Sequence, residues 1–165
     1  METRRKHSDK ELSYLAGLID ADGYIGVVKG TPGAGGTINY RYGLTVVVTN
    51  TSKVLMDWLR DNFEGKVYTK TPPKGKNWKV CYSWVMGYRN AEKLLRLIEQ
   101  YLVVKRQQAL YGIELMEFWV TDNRGTPPEE VSRRERLYRL CKELNTPGAL
   151  GQRERLNPEA PSTEG

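Results

Sequence analysis

The sequence predicts an α+β fold in the order αββαββα, a four-stranded antiparallel sheet with helices on one face. Three observations lead there. Residues 8–22 and 52–63 carry helical periodicity, and each is followed by two stretches rich in alternating β-branched and aromatic residues. From residue 90 to 144 the periodicity is helical only. The length of 165 residues suits one domain, assigned to residues 1–144, with 145–165 a poorly ordered tail of Pro, Gly, Arg and Glu without periodicity.

The first helix is expected to start at Ser8, whose spacing to Glu11 is that of a capping box, and to stop at Gly23. Leu12, Leu15, Leu18 and Ile19 share its core side. Ser13, Ala16, Gly17, Asp20 and Ala21 form a small-residue stripe on the other side, where a second helix can approach closely. Asp20 and Asp22 fall in the last turn, where the helix dipole disfavours each carboxylate by about 0.3–1 kcal/mol. A positive group should offset this, and a hard divalent cation such as magnesium is suitable. The plainer alternative is a pair of solvated aspartates before a turn glycine.

Tyr24 to Lys29 reads as a strand, followed by a glycine-rich connection over residues 30–36. A longer strand runs from about Thr37 to Asn50, with Tyr40, Tyr42, Leu44, Val46 and Val48 alternating with Asn39, Arg41, Gly43, Thr45 and Val47. Ser52 opens a helix through Phe63, closed by Gly65. Lys66 to Thr71 and Trp78 to Val85 form a hairpin in which Lys66, Tyr68 and Lys70 share a face. Alternation puts Val80, Tyr82 and Trp84 inside and Lys79, Cys81 and Ser83 outside, and a bulge would swap them. Asn90 caps a third helix to about Leu102, buried through Leu94, Leu95, Leu97, Ile98 and Tyr101. A fourth runs from Val104 to about Val120 with Ala109, Leu110, Ile113, Met116 and Trp119 inward. Thr126 caps a last helix through Pro127, Pro128 and Glu129 to Leu144, with Val131, Leu137, Leu140, Cys141 and Leu144 inward.

Lys and Arg number 26 against 20 Asp and Glu, a net charge of +6, which suits a polyanionic partner. Two cysteines cannot build a disulfide framework and match no zinc spacing, so a reduced, intracellular setting is expected. Neither a secretion signal nor an apolar run of membrane-spanning length is found, so no membrane partner is expected. His7 is the only histidine, which argues against a histidine general base and for a metal-activated water.

Leu15-Ala16-Gly17-Leu18-Ile19-Asp20-Ala21-Asp22-Gly23 matches letter for letter the motif naming the LAGLIDADG homing endonucleases, and the resemblance extends over about Ser8 to Val120. It implies a magnesium-dependent DNA endonuclease, with manganese a substitute, whose curved sheet lies as a saddle in the major groove. Asp22 would be the metal ligand, helped by the Ala21 carbonyl. Val48-Thr49-Asn50 resembles a family strand end whose polar amide positions water, which makes Asn50 a catalytic candidate. Residues 101–109 look like the family segment Leu-x-x-Lys-x-x-Gln-Ala and nominate Lys105, with Lys53 a weaker third. One motif copy implies a homodimer, joined through Ser13, Ala16, Gly17, Asp20 and Ala21, that cuts both strands of a long, roughly palindromic site. The expected DNA contacts are Tyr24, Asn39, Arg41, Thr45, Lys66, Tyr68, Lys70 and Lys79. The compartment would be the cytoplasm or a DNA-containing organelle. The competing readings are a maturase binding intron RNA, a non-cleaving DNA-binding regulator, and a purely structural oligomer.

Overall fold

The computed structural model describes residues 6–31, 40–118 and 126–146. Helix α1 spans Asp9–Asp22, and both halves of the capping box form: Ser8 N–H donates to Glu11 Oε2 at 2.9 Å and Glu11 N–H to Ser8 Oγ at 3.3 Å. Strand β1 (Gly23–Lys29) follows without a break, then β2 (Tyr42–Asn50), α2 (Lys53–Phe63), β3 (Lys66–Lys70), β4 (Cys81–Gly87) and α3 (Tyr88–Ile98). A short 3-10 turn, Glu99–Tyr101, leads to α4 (Arg106–Glu117), and α5 covers Pro128–Leu144.

All strand pairs are antiparallel and the order is β1-β2-β4-β3. The register sets Ile25 opposite Val46, Val46 opposite Met86, and Val48 opposite Trp84. These side chains share the helix-facing side, where they bury against Leu15 and Ile19 of α1, Met56 and Leu59 of α2, and Leu95 and Ile98 of α3. By the two-residue alternation, the other side carries Tyr24, Gly26 and Val28 of β1, Gly43, Thr45, Val47 and Thr49 of β2, Ser83 and Val85 of β4, and Lys66, Tyr68 and Lys70 of β3. It is the sheet's open face.

Helix α5 closes a second, smaller core, in which Leu137 and Cys141 pack with Val27, Tyr42 and Leu115. Lys29 Nζ binds Glu135 Oε2 at 2.7 Å, and the Tyr42 hydroxyl donates to the same carboxylate. The α5 end also reaches β1: Asn145 Nδ2 donates to Ile25 O at 2.9 Å, and Cys141 packs with Val27, its thiol directed to Gln108 O at 3.8 Å and its pKa pushed up by burial to about 11.

Several boundaries differ from the sequence reading. Strand β2 starts at Tyr42, while residues 37–39 lie outside the described residues. Helix α2 ends in two left-handed residues, Glu64 at φ 63° and Gly65 at φ 87°. A Cβ at Gly65 would sit 2.5 Å from the Trp84 indole nitrogen, which donates to Glu64 O at 2.6 Å, so glycine is needed there. Strand β4 starts at Cys81 and leaves Trp78 and Val80 exposed; within it Tyr82 and Trp84 face the helices and Ser83 the open side. Helix α3 starts at Tyr88, directly after the strand, so Gly87 and not Asn90 is its cap. Helix α4 begins at Arg106, and Leu97 and Leu110 are exposed. The cap of α5 is Pro127, not Thr126, and its inward set includes Arg134, while Leu140 is only half-buried. Asn145 and Thr146 are part of the folded body, with Thr146 N–H bonding Glu143 O at 3.1 Å; the rest of the expected tail, together with Trp119 and Val120, lies outside the described residues. Among the described residues no helix is long and apolar enough to cross a membrane.

Candidate functional site

The end of α1 is where the fold gathers chemistry. Asp20 and Asp22, two residues apart on a helix, point away from each other. The Asp20 carboxylate accepts three backbone amides of the loop before α4: Val103 at 2.7 Å and Val104 at 3.2 Å on Oδ2, and Lys105 at 2.9 Å on Oδ1. That loop returns the Lys105 side chain to the helix end, where Nζ donates to Ile19 O at 3.0 Å and Asp20 O at 2.5 Å. The ammonium thus satisfies two of the terminal carbonyls that a helix leaves unpaired, and supplies the positive charge that the dipole there favours. Burial lowers the pKa of Lys105, opposed by the charges of Asp20 and Asp22.

Asp22 is exposed, and its Oδ2 accepts Asn50 Nδ2 at 3.3 Å. Asn50 ends β2, and its Oδ1 in turn accepts Ser52 N–H at 2.9 Å, beside the cap of α2. Asp22, Asn50 and Lys105 therefore meet at one corner, from α1, β2 and the start of α4. Lys53 does not join them, because its ammonium pairs with Asp57 at 2.6 Å one helical turn on.

Among the described residues no group of three His, Cys, Asp or Glu side chains could cage a metal ion. The donors at the corner are oxygens only: the exposed Asp22 carboxylate and the backbone carbonyl of exposed Ala21. This set fits a hard cation such as magnesium, which keeps most of its shell for water and substrate oxygens, and does not fit a closed structural site.

The expected seam changes in composition. Ser13, Gly17 and Ala21 are exposed and lie four residues apart, so they form one row; at Gly17 an added Cβ would meet no atom within 4 Å. Ala16 is 0% exposed inside the chain's own core, which removes it from any outer surface. Asp20 is committed to the loop amides. Of the expected DNA contacts, Tyr24, Thr45, Lys66, Tyr68 and Lys70 share the open face. Arg41 and Lys79 are exposed just before β2 and β4, and Asn39 lies outside the described residues. The binding role of Asp20 was missed. No local signal marks it: the amides it accepts, those of Val103, Val104 and Lys105, lie in the loop before α4, more than eighty positions along the chain. Tyr88 also reaches the open face, over Gly43, and it lies between the strand read to Val85 and the helix read from Asn90.

An antiparallel sheet with one open face, helices behind it and this acidic corner at the end of the first helix define a class: the chain has the fold of the LAGLIDADG homing endonucleases. No protein-family model and no curated protein matches the chain. Solved structures do. The chain is similar to the homing endonuclease I-CvuI in complex with its target in the presence of calcium, with 19% identity over 90% of this chain and 93% of that one and a TM-score of 0.68. It is also similar to the archaeal intron-encoded homing endonuclease I-Vdi141I complexed with DNA, with 16% identity over 86% and 88% and a TM-score of 0.68. The LAGLIDADG meganuclease I-AabMI bound to uncleaved DNA matches over 76% of this chain but 44% of its own length, with 19% identity and a TM-score of 0.59.

Proposed function

We propose that this chain is a site-specific DNA endonuclease that works as a homodimer and cuts both strands of a long, roughly palindromic duplex site. The observation that carries the reading is the corner itself, where an exposed carboxylate at the end of the motif helix is flanked by the Asn50 amide and the anchored Lys105 ammonium. The fold and the DNA partners of its structural neighbours agree with it.

Two chains meeting along the Ser13, Gly17 and Ala21 row would bring both Asp22 carboxylates near the two-fold axis, one for each strand. Magnesium, or manganese in its place, bound by Asp22 and the Ala21 carbonyl would polarise the scissile phosphate, lower the pKa of water and neutralise the leaving oxygen. Asn50 holds the Asp22 carboxylate through Oδ2, and the Asp22 Oδ1 would serve the metal ion. Lys105 holds the helix end in place and contributes positive potential beside a polyanionic substrate. The open face supplies lysine, threonine and tyrosine to phosphates and base edges. The setting is intracellular, wherever the target DNA is kept.

The test is a supercoiled plasmid carrying the rejoined sequences that flank the gene, incubated with magnesium or with calcium. Linear product in magnesium is expected, together with its loss and retained binding in Asp22→Asn. Sequence-specific binding with no cutting in any divalent ion would instead make the chain a regulator, and binding of intron RNA in preference to DNA would make it a maturase.

A further inference from the structure

The open face has a member that the corner chemistry does not use. Strand β4 ends at Gly87, opposite Thr45, so Gly43 has no cross-strand partner from β4. The next residue, Tyr88, fills that place: its ring lies over Gly43, and a Cβ there would come within 2.7 Å of Tyr88 Cε1 and 3.1 Å of Cζ. Tyr88 does so at φ 53°, in the left-handed region that a bulky aromatic residue rarely enters, and the residue is still 51% exposed. A strained backbone that is kept while the side chain stays half in solvent is a pattern found where a side chain must be held for a ligand. Helix α3 could start after a glycine at this position with less strain, so the tyrosine is not there for the turn.

We propose that Tyr88 is a specificity-determining residue that reads one base pair in each half-site of the DNA. This rests on the endonuclease reading above, and in particular on duplex DNA lying against the open face. Gly43 is the platform that leaves room for the ring, since a Cβ there would meet it. The ring offers an apolar edge suited to the 5-methyl group of thymine. Gly43 is then a positioning residue, since it acts only through the tyrosine.

The experiment selects bound duplexes from a randomised DNA pool with the full chain at fixed salt, and compares the wild type with Tyr88→Gly and Gly43→Ala. Tyr88→Gly suits the left-handed backbone, so its melting temperature should hold or rise, and its preference at one position per half-site should fall about five- to a hundredfold. Gly43→Ala keeps the tyrosine but lifts the ring, and should alter preference at that same position and no other. Profiles identical to wild type in either folded variant overturn the proposal, as do changes spread evenly over the site. If the wild type selects no sequence at all, the endonuclease reading itself is what fails. If Tyr88→Gly loses its fold, the ring is a structural plug, and that also overturns the proposal.

Discussion

Asp20 and Asp22 stand two residues apart at one helix end, yet the structure gives them opposite duties, and replacing each by asparagine separates them. Asp20→Asn removes the charge that accepts the amides of Val103, Val104 and Lys105 at 2.7, 3.2 and 2.9 Å, and turns its new Nδ2 group toward a donor. A hydrogen bond to a charged acceptor contributes about 1.5–3 kcal/mol, and these three share one half-buried carboxylate, so the expected total loss is about 2–4 kcal/mol. Asp22→Asn gives up one 3.3 Å bond at an exposed position and should stay within about 0.5 kcal/mol of wild type. Urea unfolding followed by circular dichroism at pH 7 measures both, with protein concentration held equal because dimerisation would shift the midpoint. Limited proteolysis should also cut residues 102–106 faster in Asp20→Asn, since the loop loses its anchor. If the two variants prove equally stable, or Asp22→Asn is the weaker one, the assignment of Asp20 to the loop is wrong.

The inside and outside of the motif helix separate in the same way. Ala16→Leu should cost about 1–3 kcal/mol by overpacking a fully buried position, whereas Gly17→Leu should leave the fold intact and split the proposed dimer in sedimentation. Lys70→Gln removes one open-face cation per chain and should lower the slope of log binding constant against log salt by about 2 for a dimer, read from titrations between 50 and 200 mM. Glu135 is held at about 2, first by its bond to Lys29 and then by that to Tyr42, against an ordinary 4.5. A depressed carboxylate stabilises the fold above its unfolded pKa and loses that contribution as pH falls from about 4.5 toward about 2. After discounting for its partly solvated position this amounts to about 1–2 kcal/mol, so Glu135→Gln should lower stability at pH 7 by that much and flatten its pH dependence below pH 5.

How far the sequence could be read follows from which interactions are local. The capping box at Ser8, the cap at Ser52 and the alternation of Leu44, Val46 and Val48 depend on neighbours a few residues away, and they stand as read. The facing of β4 was undecidable from its own residues, because it is fixed by pairing with Val48 and Asn50, more than thirty positions upstream. Ala16 was placed on the outer stripe for its small size. Helical arithmetic sets it only about 40° from Leu12 and 60° from Ile19, so it belongs with the core side. The convergence of Asp22, Asn50 and Lys105 was suggested by resemblance alone; no spacing along the chain places residues 22, 50 and 105 at one corner. Lys105 also answers a question that the last-turn aspartates raised. The offsetting positive charge is in the chain itself, and an ion is not needed for that purpose.

The two lateral margins of the sheet are dealt with differently. Along one, α5 covers the outward side of β1, taking the Ile25 carbonyl through Asn145 and packing Cys141 against Val27. The other, β3, is five residues long and begins and ends in lysine. Short length and like charge discourage another strand from docking there, and an occupied margin admits none. The open β-layer, the face proposed to receive DNA, is thereby kept from growing sideways into fibrils while it is uncovered.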